Sequence, residues 1–225
     1  ALAKKYEMPA LALTDHGALY GAIQFYKECK KAGIKPIIGV EAYIAKRTRH
    51  DKQPGIDNKR FHLTLLAKNN TGYQNLIKLV TLSHLEGYYY KPRMDKELLK
   101  TYSEGLICLS GCFGSELSRA LRNKNTEEAE KVILEHQEIF GKENYFLEIM
   151  HHPGVDGLTD VRAQTIALGK KFNIPIVATQ DSHYLHTEDA RAHDTLIAIQ
   201  TNTDIGDEKR LCQRRRLFSH RRWRE

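Results

Sequence analysis

Short apolar runs alternate along this chain with longer stretches in which apolar residues recur every three or four positions. The runs lie at 10–14, 36–45, 61–67, 105–110, 144–150 and 174–179. Runs of this length read as buried strands. The 3.6-residue pattern predicts helices over 18–32, 69–83, 114–122, 126–140, 158–171 and 188–200. In the first of these, Leu19, Ala22, Ile23, Tyr26 and Cys29 form an apolar stripe with Lys and Glu opposite, and Gly33 follows as a C-cap. Asn125-Thr126-Glu127-Glu128 opens another helix with a capping residue and early acids. The alternation predicts an α/β fold with a largely parallel sheet, and it fits a closed barrel better than an open sheet. Only 84–104 breaks the rhythm, and it reads as a long loop on the barrel rim.

Composition narrows the picture in three ways. The chain has 225 residues and a net charge of +7. Seven Arg and one Glu of that balance fall in residues 210–225, so the preceding part is nearly neutral. The basicity therefore belongs to an Arg-rich tail with no helix or strand period. It reads as a disordered or artefactual end, or as an arm for phosphates. Four Cys without a Cys-x-x-Cys pair suggest a reducing, cytoplasmic setting. No apolar run is long enough to span a membrane. The chain opens on Ala1-Leu2-Ala3-Lys4-Lys5, the end of a helix-like pattern, without an initiator Met. We therefore expect a strand upstream of residue 1, whose loss would expose two sheet edges and favour aggregation.

Chemistry-bearing residues cluster at the ends of the predicted strands. Val177-Ala178-Thr179-Gln180-Asp181-Ser182-His183 ends an apolar run in Asp-x-His, and extended chain would project both side chains the same way. Ala10 to Gly17 has the same form, ending in Thr14-Asp15-His16-Gly17. Glu41 interrupts Ile37-Ile38-Gly39-Val40, and a buried carboxylate needs a partner charge or a metal. Cys112 follows a strand, where a thiolate could ligate a borderline cation; taken alone it is more often a small buried residue. His62 opens 61–67, the wrong end for a parallel barrel strand. It must lie on a reversed or offset strand, or it is a core histidine. His151 and His152 after Glu148 read as outer groups or as a solvated turn; His84, His186 and His193 read as surface residues. Ligands of mixed type suit Zn²⁺, Mn²⁺ or Fe²⁺, with Zn²⁺ or Mn²⁺ foremost, better than an all-oxygen Mg²⁺ site. More ligands than one ion needs imply a cluster.

In order, Thr14-Asp15-His16-Gly17, Gly39-Val40-Glu41, His62-Leu63-Thr64-Leu65-Leu66-Ala67, Leu109-Ser110-Gly111-Cys112 and Asp181-Ser182-His183-Tyr184 resemble the motifs of the PHP (polymerase and histidinol phosphatase) domain. More narrowly, Phe25 to Gly39, Tyr73 to Val80, Gly87 to Arg93 and Asp189 to Asp194 are similar to the PHP domain of bacterial DNA polymerase III alpha subunits. The resemblance runs to about residue 209. It implies a distorted (β/α)7 barrel whose first strand, carrying a His-x-His pair, is missing here. It implies that His16, Glu41, His62, Cys112, Asp181 and His183 are six ligands of a divalent metal cluster. It further implies DNA-templated DNA synthesis in an intact subunit, partnered by DNA, a proofreading exonuclease subunit and a sliding clamp. The polymerase's own carboxylates and palm are not in this sequence. The module itself would then trim 3′ ends with its metals, or serve as a structural platform.

Two other readings compete. One is a free-standing PHP phosphoesterase acting on a small monoester such as histidinol phosphate. The other is nucleic-acid binding through the Arg-rich tail alone. The long loop with Tyr88, Tyr89, Tyr90, Lys91 and Arg93 favours the polymerase module, because aromatic and basic residues such as Tyr89, Lys91 and Arg93 together can hold a nucleic-acid strand; a packed loop between domains reads equally well.

Overall fold

The computed structural model describes residues 1–152 and 155–207. The Arg-rich tail and the expected boundary at 209 lie outside the described residues. The strands are β1 (Ala10–Leu13), β2 (Lys35–Ala45), β3 (Arg60–Ala67), β4 (Arg93–Met94), β5 (Leu106–Leu109), β6 (Tyr145–Met150) and β7 (Ile176–Thr179). The helices are α1 (Leu2–Lys5), α2 (Ala22–Ala32), α3 (Asn70–Leu85), α4 (Lys96–Thr101), α5 (Glu116–Arg122), α6 (Thr126–Phe140), α7 (Leu158–Phe172) and α8 (Ala190–Thr201). Local chemistry sets their ends. Asn69 and Asn125 accept from the amides of Gly72 and Glu128 at the starts of α3 and α6. Gly33 ends α2 in the left-handed conformation, as the sequence predicts.

The sheet order is β1-β2-β3-β5-β6-β7, with β4 beside β2. Pairing is parallel except on both sides of β3, which runs antiparallel to β2 and β5. β3 is thus the reversed strand that His62 required, and its first residues lie at the rim where the other strands end.

The segment 84–104 is more ordered than the expected loop. It contains β4 and α4, and β4 pairs with the second half of β2, Tyr43 opposite Arg93. The backbone can do this because β1 uses only Lys35 to Ile38 of that edge. Arg93 does not lie open to a nucleic acid, as first expected. It is fully buried, and its guanidinium donates to four main-chain carbonyls, those of Gly87, Asp57, Arg49 and Asp51, at 2.9–3.0 Å.

Alternation along the strands divides the sheet into two faces. Val40, Ala42 and Ile44 of β2 and Phe61, Leu63 and Leu65 of β3 point outward into the main core, with Leu76 and Leu79 of α3, Ile133 of α6 and Val161 of α7. The register pairs Glu41 with Thr64 and Tyr43 with His62 on the other face. That face is polar, and it carries the residues of interest.

Replacing Arg93 with Met is expected to cost about 3 kcal/mol, because buried carbonyls lose charged donors. Arg93→Lys should recover little, since one ammonium cannot serve four carbonyls spread over two segments. The midpoint of urea unfolding checks both.

Candidate metal centre

Glu41 lies in the middle of β2 and is 8% exposed. Its Oε1 is 2.6 Å from His62 Nδ1 and accepts from the Cys112 thiol at 3.5 Å. Its Oε2 is 3.5 Å from His16 Nδ1. Ligand atoms of Glu41, His62 and Cys112 all lie within 4.8 Å of one another, a carboxylate, an imidazole and a thiol that could hold one metal ion. Burial raises the Glu41 carboxyl. The bond to His62 and the charges of His16 and His62 outweigh that, and the group sits below its ordinary value. Burial, then the Glu41 charge, pushes the Cys112 thiol up. Burial lowers His16, against the opposing pull of Glu41.

Cys112 reaches β3 because Gly111 precedes it. A Cβ on Gly111 would lie 2.5 Å from the His62 carbonyl oxygen, and φ there is +86°. Only glycine allows that approach cheaply.

His183 and Asp181 come from beyond β7. The sequence reading placed them on extended chain. Instead Asp181 leaves the extended conformation with φ +50°, and the His183 ring folds back onto its carbonyl. His183 Nδ1 donates to the Asp181 carbonyl at 2.8 Å, and Asp181 Oδ1 lies 3.6 Å away. A carbonyl only accepts, so Nδ1 carries the proton and Nε2 keeps its lone pair for another partner. The His183 ring is 5.7 Å from that of His16, and His16 is 5.8 Å from His62. The six residues singled out from the sequence therefore meet at one rim.

That meeting also measures the curl of the sheet. β1 and β7 sit at opposite ends of the strand order, roughly 24 Å apart if the sheet were flat. His16 and His183, which follow them, have their rings 5.7 Å apart.

Other expectations fare differently. Asp15 is exposed, and its carbonyl accepts from the Glu41 amide. His151 is exposed and contacts Arg162, which suits the solvated turn. His193, read as a surface residue, is half-buried with its ring 5.6 Å from His183 and 5.4 Å from Tyr184. Tyr43 was missed: its ring stacks 6.0 Å from His16 and lies 5.3 Å from His62. Its position two residues after Glu41 on the same strand was the available signal.

Comparison with known proteins follows the same lines. Residues 1–152 match the family described as PHP domain. The chain is 47% identical over 210 residues to DNA polymerase III subunit alpha of Borreliella burgdorferi, covering 93% of this chain and 18% of that protein. It is 46% identical over 206 residues to the same-named subunit of Thermus aquaticus, covering 91% of the chain and 17% of that protein. The chain thus spans about a fifth of the length of these relatives. In fold it resembles a crystal structure from Bifidobacterium adolescentis assigned as a metal-dependent phosphoesterase. The TM-score is 0.50 at 9% identity, over 80% of this chain and 79% of that one.

Below the rim, a second carboxyl faces inward from β6. Glu148 is 7% exposed and accepts from Thr179 Oγ1 at 2.7 Å and Thr64 Oγ1 at 3.2 Å. Burial lifts its pKa to about 7. The two hydroxyls pull it down, and the Glu41 and Asp181 charges push it further up. An unfolded chain releases this proton near pH 4.5, whereas the folded chain holds it to about 7. Its stabilising contribution is full below pH 4.5 and is lost as pH rises to about 7, a swing of about 3 kcal/mol. Glu148→Gln should remove that part of the slope, which denaturant unfolding of both proteins between pH 4.5 and 8 would measure.

Proposed function

The chain belongs to the PHP domain family, and on that premise we propose that it acts as the PHP module of a replicative DNA polymerase III alpha subunit. Two relatives of that name at 46–47% identity support this over a free-standing phosphoesterase. In this reading the intact subunit is a cytoplasmic DNA-directed DNA polymerase. Its partners are DNA, a proofreading exonuclease subunit and the sliding clamp, and its polymerising carboxylates lie in the remaining four-fifths of its length.

For the module itself we propose metal-dependent phosphoester chemistry, with 3′ ends of DNA as substrate. The observation that carries it is the convergence of His16, Glu41, His62, Cys112, Asp181 and His183 from five separate stretches of chain on one rim. Glu41, His62 and Cys112 would hold one ion; His16, Asp181 and His183 stand beside them to hold a second. Nitrogen, oxygen and sulfur donors together favour Zn²⁺ or Mn²⁺. A divalent ion there brings the pKa of water toward neutrality and offsets charge on a phosphoester. The chain's own part is placement. His183 is fixed through Nδ1 so that Nε2 is presented, and Glu41 orients His62 and Cys112 at once. Residues of β2, β3 and the loops after β1, β5 and β7 would share such an ion, and binding it would steady the fold as well.

Asp181→Ala combined with His183→Ala should lower bound Zn²⁺ or Mn²⁺ and weaken its affinity by roughly 100-fold. Elemental analysis and calorimetry read this, and unchanged metal content removes the pair from the ligand set. With metal bound, the wild type should shorten a 5′-labelled oligonucleotide from its 3′ end and leave histidinol phosphate intact. The reverse preference would support the small-monoester reading.

A further inference from the structure

Beside the candidate ligands, the rim carries two cations with no acid opposite them among the described residues. Arg60 opens β3 two residues before His62 and shares its face. Its guanidinium carbon lies 5.1 Å from the centre of the Tyr43 ring, and Lys91 Nζ lies 5.9 Å from the same centre. Tyr43 is the residue whose ring touches both His16 and His62. The two cations are thus attached to the metal centre through one buried ring, which attracts them by its quadrupole.

The other arginines of this rim are compensated. Arg47 pairs with Asp57, Arg49 with Glu86, Asp95 and Glu97, and Arg93 with its four carbonyls. Arg60 is different. Its Nη1 donates to the Asn58 carbonyl at 3.1 Å, but its buried Nε has no hydrogen-bond partner among the described residues. A buried donor left unmade costs about 1–3 kcal/mol and calls for an explanation. Lys91 is held close by its neighbour. Pro92 packs over Gly17, where φ is +63° and a Cβ would lie 2.9 Å from the proline ring and 3.1 Å from Tyr43.

We infer that Arg60 and Lys91, carried on the Tyr43 ring, form an anion subsite that holds a phosphate group of the substrate beside the metal centre. The inference rests on the phosphoester reading of that centre. A guanidinium fork matches phosphate oxygens, and an ammonium adds a point charge. Both are positioning residues: they fix where the phosphate lies, while bond cleavage belongs to the centre. The phosphate is either a free or terminal group or one link of a DNA strand.

The test uses the full chain and the variants Arg60→Gln, Lys91→Gln, the double variant and Arg60→Lys, with the exposed Lys131→Gln on α6 as control. Inorganic phosphate binding is followed by ³¹P NMR, and binding of a labelled oligothymidylate by anisotropy at several salt concentrations. Each Gln variant is expected to weaken phosphate binding by roughly tenfold, and to lower the salt slope of oligothymidylate binding by about 1. Arg60→Lys should retain most of the affinity. Loss toward both probes assigns the subsite to a strand, and loss toward inorganic phosphate alone assigns it to a terminal or free group. Wild-type affinity for both probes in the double variant, or a loss no greater than that of Lys131→Gln, overturns the inference. If Arg60→Gln does not fold, Lys91→Gln decides alone, and unchanged affinity there overturns it. Zinc content measured in parallel separates this result from the metal reading. A failed subsite leaves zinc stoichiometry sensitive to Asp181→Ala with His183→Ala, whereas a failed metal centre does not.

Discussion

Glu41 carries a carboxylate into the middle of a folded sheet, and the rim is organised around answering it. An isolated buried charge of this kind costs several kcal/mol. Three elements meet the demand: β3 with His62, the turn after β5 with Cys112, and the loop after β1 with His16. The balance favours the ionised form despite burial. Each answer imposes its own condition on the backbone. His62 requires β3 to run backward. Cys112 requires Gly111 against the His62 carbonyl. His16 requires the chain beyond β1 to keep its parallel register, so that His16 bridges to Glu41.

The division of the sheet into an apolar and a polar face follows from the same demand. Barrel strands covered by helices usually read as continuous apolar runs. Here only the outward positions are uniformly apolar, and they fill the main core against α3, α5, α6 and α7. The inward positions of β2 and β3 include Glu41, Tyr43, Arg60, His62 and Thr64, and β6 adds Glu148. Packing energy is therefore gathered on the outside, which leaves the inner face available for ligands.

Much of this was legible in the amino-acid order. Apolar periodicity located six strands and the main helices within a few residues of where they lie. The position of His62 at the start of its run left a reversed strand among its alternatives, and the antiparallel pairing of β3 selects it. What escaped notice depended on partners distant in the chain. Arg93 looks like a loop cation until Gly87, Asp57, Arg49 and Asp51 surround it with carbonyls. The two-residue strand β4 is too short to leave a periodic signal. Its existence depends on an edge of β2 that β1 does not use. Asp181 and His183 were read as strand neighbours, but the positive φ of Asp181 takes the chain out of the extended form there, and nothing in their spacing distinguishes the two.

The reversal of β3 has a geometric result for access. Because β2 ends and β3 begins at the same rim, the connection through residues 46–59 hangs at the mouth of the barrel. Its shape is clamped from within by Arg47 on Asp57 and from behind by Arg93. It forms a stiff brim, and Arg60 stands at its foot. Lengthening or shortening that brim would reshape the entrance without moving any strand, so selectivity could diverge among barrels that keep the same interior.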